Sequence, residues 1–290
     1  MPTTKPTANT AGAPVSEMAT KPTVIGQLAN PTRFLGLTEA LLPWLTGLAA
    51  VCLGVGVYLA FFVAPADYQQ GDSVRIMFIH VPAAWLAMFC YSLMAVAALG
   101  TLVWRHPLAD VAAKAAAPLG AAFTLLALFT GSVWGKPMWG TWWVWDARLT
   151  SVLVLFIMYL GLIALWRSFD DPGRAGRVAA ILTLVGFINI PIIKFSVDWW
   201  NTLHQPASVI RLDGPTIHPT MLWPLLIMAI GFTLAFTALH LGAMRAEIFR
   251  RRVRTAQIMI AQRQASPMAS APVAKAAAAP VGGSVVSGPR

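Results

Sequence analysis

Six stretches of the chain are almost uninterruptedly apolar: residues 41–63, 76–104, 115–133, 149–166, 178–195 and 220–243. About 20 helical residues cross a hydrocarbon core about 30 Å thick, and backbone within lipid must satisfy its own hydrogen bonds. Each run therefore predicts one spanning helix, and the whole predicts an all-α integral membrane protein with six transmembrane helices across residues 41–243. Residues 1–40, rich in Pro, Thr and Ala, predict a polar, largely disordered tail. The first run begins too late and runs too long for a cleaved secretory segment, so it is expected to act as its own insertion signal. Residues 244–264 predict a basic helix leaving the sixth span at headgroup level, and 265–290 a disordered tail of Ala, Pro, Ser and Gly.

Composition removes the soluble alternative. Hydrophobic residues make up 57% of the chain and charged residues 11%, with mean hydropathy +0.66, against about 25% charge in soluble domains. The net charge of +10 would raise the question of nucleic acid in a soluble protein, but its placement answers differently. With six spans both termini share one side, and 16 of the 21 Lys and Arg fall on that side. Only Arg75, Lys136, Arg148, Lys194 and Arg211 belong to the other. Both termini are therefore expected in the cytoplasm, with the basic charge serving orientation and contact with the lipid bilayer, and no nucleic acid is expected as a partner.

Chemistry is excluded more widely than it is indicated. Cys52 and Cys90 lie far apart in apolar runs, so no CxxC pair or thiolate zinc site is available, and no CxxCH attaches haem covalently. No GxxxxGK[ST] loop, HExxH or Ser-His-Asp arrangement stands out, so an enzyme is not expected and any ATP coupling must come from a partner.

One segment departs from this background. The connection between spans three and four, GSVWGKPMWGTWWVWDARLTS, holds five of the chain's twelve tryptophans: Trp134, Trp139, Trp142, Trp143 and Trp145. An interfacial aromatic belt spreads its indoles over many span ends; here the glycines and Pro137 are expected to bend the backbone, while the indoles offer rigid, flat faces suited to a large planar apolar ligand. Asp146 and Arg148 close the segment, with helix capping and an interfacial ion pair as the alternative to ligand contact. Among planar ligands, a porphyrin would need imidazole. His106 and His240 fall at the cytoplasmic span ends, the wrong side for these tryptophans. His80, about one turn inside span two, is costly enough at that depth to imply a role, with helix packing the alternative. His204, beside Trp199 and Trp200, and His218, in TIHPTM, remain rival second ligands.

These residues carry a resemblance. The segment WGKPMWGTWWVWDARLTS resembles the WWD signature of the haem-handling family of cytochrome c maturation proteins, and APADYQQGDSVRIMFIHVPAAW, LWRSFDDPGRAGR and SVDWWNTLHQ extend the likeness over about residues 33–250. Six spans with one outer histidine on each side of the loop resemble the CcmC branch rather than the longer CcmF. The resemblance implies a bacterial inner-membrane protein with a tryptophan-rich periplasmic loop, residues 134–148, between helices 3 and 4. It implies haem b as transient cargo, with His80 and His204 as axial iron ligands beneath a platform of Trp134, Trp139, Trp142, Trp143, Trp145 and Asp146. Arg75 and Arg148 fit basic positions nearby, as partners for the propionates. It further implies presentation of haem to the chaperone CcmE, with CcmD as a small membrane subunit and CcmA with CcmB as an ABC transporter. A b-type oxidoreductase and a haem permease acting alone stand as alternatives.

Overall fold

A computed structural model describes residues 30–206 and 208–265. Helix α1 spans Pro31–Tyr58, followed by a π turn over Leu59–Val63. A 3-10 turn over Asp72–Ile76 leads into α2, Met77–Leu102; then come α3, Ala109–Trp139, and α4, Ala147–Ser168. Helices α5, Pro172–Gly186, and α6, Asn189–Trp199, precede α7, Pro219–Ala265. Six segments are long and apolar enough to cross a membrane, α5 with α6 forming the fifth, and no strand occurs among the described residues. This is the expected all-α membrane architecture.

Local chemistry sets the boundaries. Asn30 accepts from the Thr32 amide at 2.9 Å with Pro31 at the first helical position, so α1 starts at Pro31 rather than near residue 41. Asp171 caps α5 in the same way, through the amides of Gly173 and Arg174 with Pro172 following. The expected continuous fifth span is two helices: Pro191 cannot donate to the carbonyl four residues back, and the chain turns at Phe187 and Ile188. Asn189 then donates to the Ser151 carbonyl at 2.9 Å, tying the break to α4. Of the tails expected at 1–40 and 265–290, residues 31–40 instead open α1 and Ala265 ends α7, and the rest, 1–29 and 266–290, lies outside the described residues. The basic segment continues α7 without interruption, and there Glu247 pairs with Arg250 and, at 2.9 Å, with Arg251.

The main packing face joins α2 and α3. Small residues let the backbones approach: Ala87 and Cys90 on α2, Ala113, Ala116, Ala117 and Ala121 on α3 are all buried. Gly120 leaves space that the Tyr159 ring of α4 fills. The Tyr159 hydroxyl donates to the Ala87 carbonyl at 2.7 Å, and its ring meets Tyr91 edge-on at 5.4 Å. Apolar side chains such as Val51, Val96, Phe129, Ile157 and Ile230 are exposed along the spans, as lipid-facing surface should be. A second, smaller cluster, built on Ala60, Val74, Met77, Phe78, Leu225 and Met228, sits at the end of the bundle that carries the tryptophans.

Candidate functional site at the tryptophan-rich end

Helix α3 overruns the expected loop. It continues through Gly135 and Pro137 to Trp139 and stops where Gly140 takes the left-handed conformation, φ 75°. Trp134 and Trp139 are therefore helical side chains, and only the later indoles belong to an irregular connection. Five residues apart, they lie about 7.5 Å apart along the axis, and each meets a different histidine. Trp134 meets His80 edge-on at 5.7 Å and Trp139 meets His204 at 4.9 Å. Two imidazoles remote in the chain thus flank one helix end.

His80 lies one turn inside α2, with its Nδ1 3.0 Å from the Thr130 hydroxyl of α3. His204 comes from the connection between α6 and α7, its amide held by the Thr202 hydroxyl at 3.2 Å. Its Nδ1 faces Asp146 Oδ2 at 3.3 Å. Asp146 is also the N-cap of α4, where Oδ1 accepts from the Leu149 amide at 2.7 Å. Burial pushes the His204 imidazolium below its usual range; Asp146 opposes that shift and Arg148 adds to it. His204 is therefore neutral at neutral pH, and because a carboxylate only accepts, its proton sits on Nδ1 and Nε2 keeps a lone pair.

The segment after Gly140 folds back on α3. Ser132 donates to the Trp142 carbonyl at 2.8 Å, and Thr141 donates to that of Trp143 at 3.1 Å. Lys136 donates to the Gly140 carbonyl at 2.9 Å and lies 6.0 Å from the Trp142 ring centre. Trp143 and Trp145 pack edge-to-face at 5.5 Å, and Trp142 and Trp145 are exposed. The Trp143 indole N–H is buried with no acceptor among the described residues. Trp134 instead donates to Gln70 at 2.9 Å, which anchors the connection before α2.

The arginines are engaged by the protein itself. Arg75 donates to the carbonyls of Ala60 and Phe61 at 2.8 and 3.0 Å and pairs with Asp72 at 3.0 Å. Arg148 donates to Ser196 at 3.0 Å and to the carbonyls of Ile193 and Lys194, both at 3.4 Å. Each braces one side of the site, beside a cavity: one of about 260 Å³ lined by Arg75, Ile79 and Thr130, the other of about 380 Å³ lined by Trp145, Asp146 and Asn189. His218 differs from His80 and His204: its Nδ1 accepts from the Thr220 amide at 3.4 Å and lies 2.8 Å from that residue's hydroxyl, and its carbonyl opens α7. Sequence reasoning missed Thr130, Gly131, Gln70 and Ser132. A polar residue four positions before Trp134, in an otherwise apolar run, is the signal that would have found Thr130.

The fold and this end of it define a class: a polytopic helical membrane protein presenting paired imidazoles and clustered indoles at one end of the bundle. The chain belongs to the heme exporter protein C (CcmC) family, whose sequence profile matches residues 24–259. Heme exporter protein C of Bradyrhizobium diazoefficiens is 68% identical over 238 residues, covering 82% of this chain and 90% of that protein. Its namesake from Escherichia coli K12 is 53% identical over 219 residues, 76% and 88% of the two chains. A putative cytochrome c biosynthesis ccmC-like mitochondrial protein of Marchantia polymorpha is 49% identical over 188 residues, 65% and 79% of the two.

Proposed function

We propose that this chain handles haem for cytochrome c maturation as a membrane carrier: it holds haem b at the periplasmic face of the bacterial inner membrane and hands it to the chaperone CcmE. Iron sits between His80 and His204. Trp139, Trp142, Trp143 and Trp145 cover the apolar edge of the macrocycle, and Trp134 and Asp146 hold the two imidazoles in place. The buried Trp143 N–H donates to a propionate oxygen, while Arg75 and Arg148 brace the cradle and add positive potential for the same carboxylates. The carrying observation is that both histidines are anchored through Nδ1, at 3.0 and 3.3 Å, and that each meets a different tryptophan of the α3 end. Binding through two exchangeable axial bonds suits a carrier, since each tenfold of affinity is about 1.4 kcal/mol and a cargo held too firmly is not released. CcmD serves as the small partner subunit, and CcmA with CcmB supplies the ATP-driven step this chain lacks. Both termini lie in the cytoplasm, following the bias of basic residues.

The test is the optical spectrum of the purified protein and its delivery of haem to CcmE. A variant carrying both His80→Ala and His204→Ala is expected to lose the low-spin Soret band and the transfer. Undiminished transfer would refute the assignment.

A further inference from the structure

A proton count at one contact reaches beyond the choice of ligands. The Thr130 hydroxyl has a single proton, and it points along its own helix to the Leu126 carbonyl at 2.7 Å, with the Ala127 carbonyl further off at 3.4 Å. The His80 Nδ1 lies at 3.0 Å on the same oxygen. With its proton committed to the shorter bond, Oγ1 meets the imidazole with a lone pair, so the proton of that contact belongs to Nδ1, and the Ala127 carbonyl is a second acceptor beside the ring. A neutral imidazole protonated there carries its free lone pair on Nε2.

The adjacent residue completes the seat. A Cβ on Gly131 would lie 2.9 Å from His80 Cε1, closer than side-chain carbons approach one another. A larger residue there would push the ring from its place against α3, and Trp134, one turn further on, stands edge-on to it. Thr130, Gly131 and Trp134 thus limit the imidazole's hydrogen bond, its depth and its tilt in turn.

We infer that Thr130 is a positioning residue for His80: by accepting the Nδ1 proton it fixes the tautomer and plane in which Nε2 faces the haem iron, with Gly131 leaving the space the ring occupies. The inference rests on the haem-carrier reading above. Its acceptor is a neutral hydroxyl, whereas His204 has a carboxylate. Hydrogen-bond partners of this kind orient metal-ligating histidines and tune their basicity.

The full-length protein in detergent tests this with two readouts. In the haem-free protein labelled with 15N-histidine, the His80 ring is expected to show the proton on Nδ1; a proton on Nε2 in the wild type overturns the inference without any variant. In the haem-loaded protein, Thr130→Val is expected to lower the low-spin six-coordinate fraction several-fold, Thr130→Ser to restore it, and Gly131→Ala to lower it with Thr130 intact. A Thr130→Val spectrum identical to wild type, beside a His80→Ala variant that loses low-spin iron, rejects the role of Thr130 and leaves the carrier reading standing. If His80→Ala also leaves the spectrum unchanged, the carrier reading itself fails.

Discussion

The two histidine seats set the same demand, one proton held on Nδ1 and one ring held in plane, and meet it with different physics. His80 rides a helix inside an apolar span, and its partner is the uncharged hydroxyl of Thr130, itself bonded back to its own helix. An ionised partner at that depth would be expensive. His204 rides an irregular connection and needs an anchor from outside it. Its partner is Asp146, whose carboxylate is already stabilised by capping α4 through the Leu149 amide and by the positive end of that helix. The lesson is that a carboxylate is used where a helix terminus has prepared a place for it, and a hydroxyl where the histidine lies within a packed, apolar span.

Experiments that separate the seats follow from this contrast. The largest effect is expected from Asp146→Ala, which strips the cap and the histidine acceptor together: haem affinity should fall about 10- to 100-fold, and thermal unfolding should show a loss of about 1 kcal/mol. Asp146→Asn sharpens the comparison, because an amide oxygen still caps. Its affinity loss should be smaller and its stability close to wild type, and redox titration should show a raised haem potential, since His204 loses an anionic partner and becomes a weaker donor to iron. If Asp146→Asn matches the alanine variant in stability, the cap and the acceptor are not separable as described.

Next comes the connection between the seats. Trp143→Phe removes the orphan N–H while keeping an aromatic face, and should lower formation of haem-loaded CcmE more than it lowers protein inserted in the membrane. Equal losses on immunoblot and haem stain would point to folding alone. Smaller still, Trp134→Phe gives up the bond to Gln70, about 0.5–1.5 kcal/mol, measurable by denaturation. The smallest effect is expected in the bundle core: Tyr159→Phe loses the bond to the Ala87 carbonyl, worth about 0.6 kcal/mol between membrane helices, and leaves the haem spectrum unchanged. A spectral change there would mean that core packing and histidine seats are coupled.

Much of the fold was legible because hydropathy and length are properties of a segment by itself. Five of the six runs coincide with a single helix long enough to span, and the fifth with α5 and α6 taken together. The misjudged boundaries have local reasons: Asn30 with Pro31 starts α1 early, Pro191 splits the fifth span, and helical Gly135 and Pro137 let α3 reach Trp139. Pro137 was expected to bend the chain, yet at helix position 137 the residue before it still takes helical geometry, and the stop falls to Gly140 with its positive φ.

For the site, the sequence determined the reactive vocabulary: which histidines fall at the tryptophan-rich end, how many indoles gather there, and which family the chain joins. Residue type and hydropathic position fix those without reference to any other segment. Only the tertiary structure decided which acceptor seats each imidazole, that Arg75 and Arg148 hold backbone carbonyls of neighbouring elements, and that His218 is occupied in opening α7. Those partners lie from 2 to 58 positions away along the chain, and among the distant ones His80 and Thr130 meet where small residues let α2 and α3 pack closely, a pairing of faces that no single segment encodes.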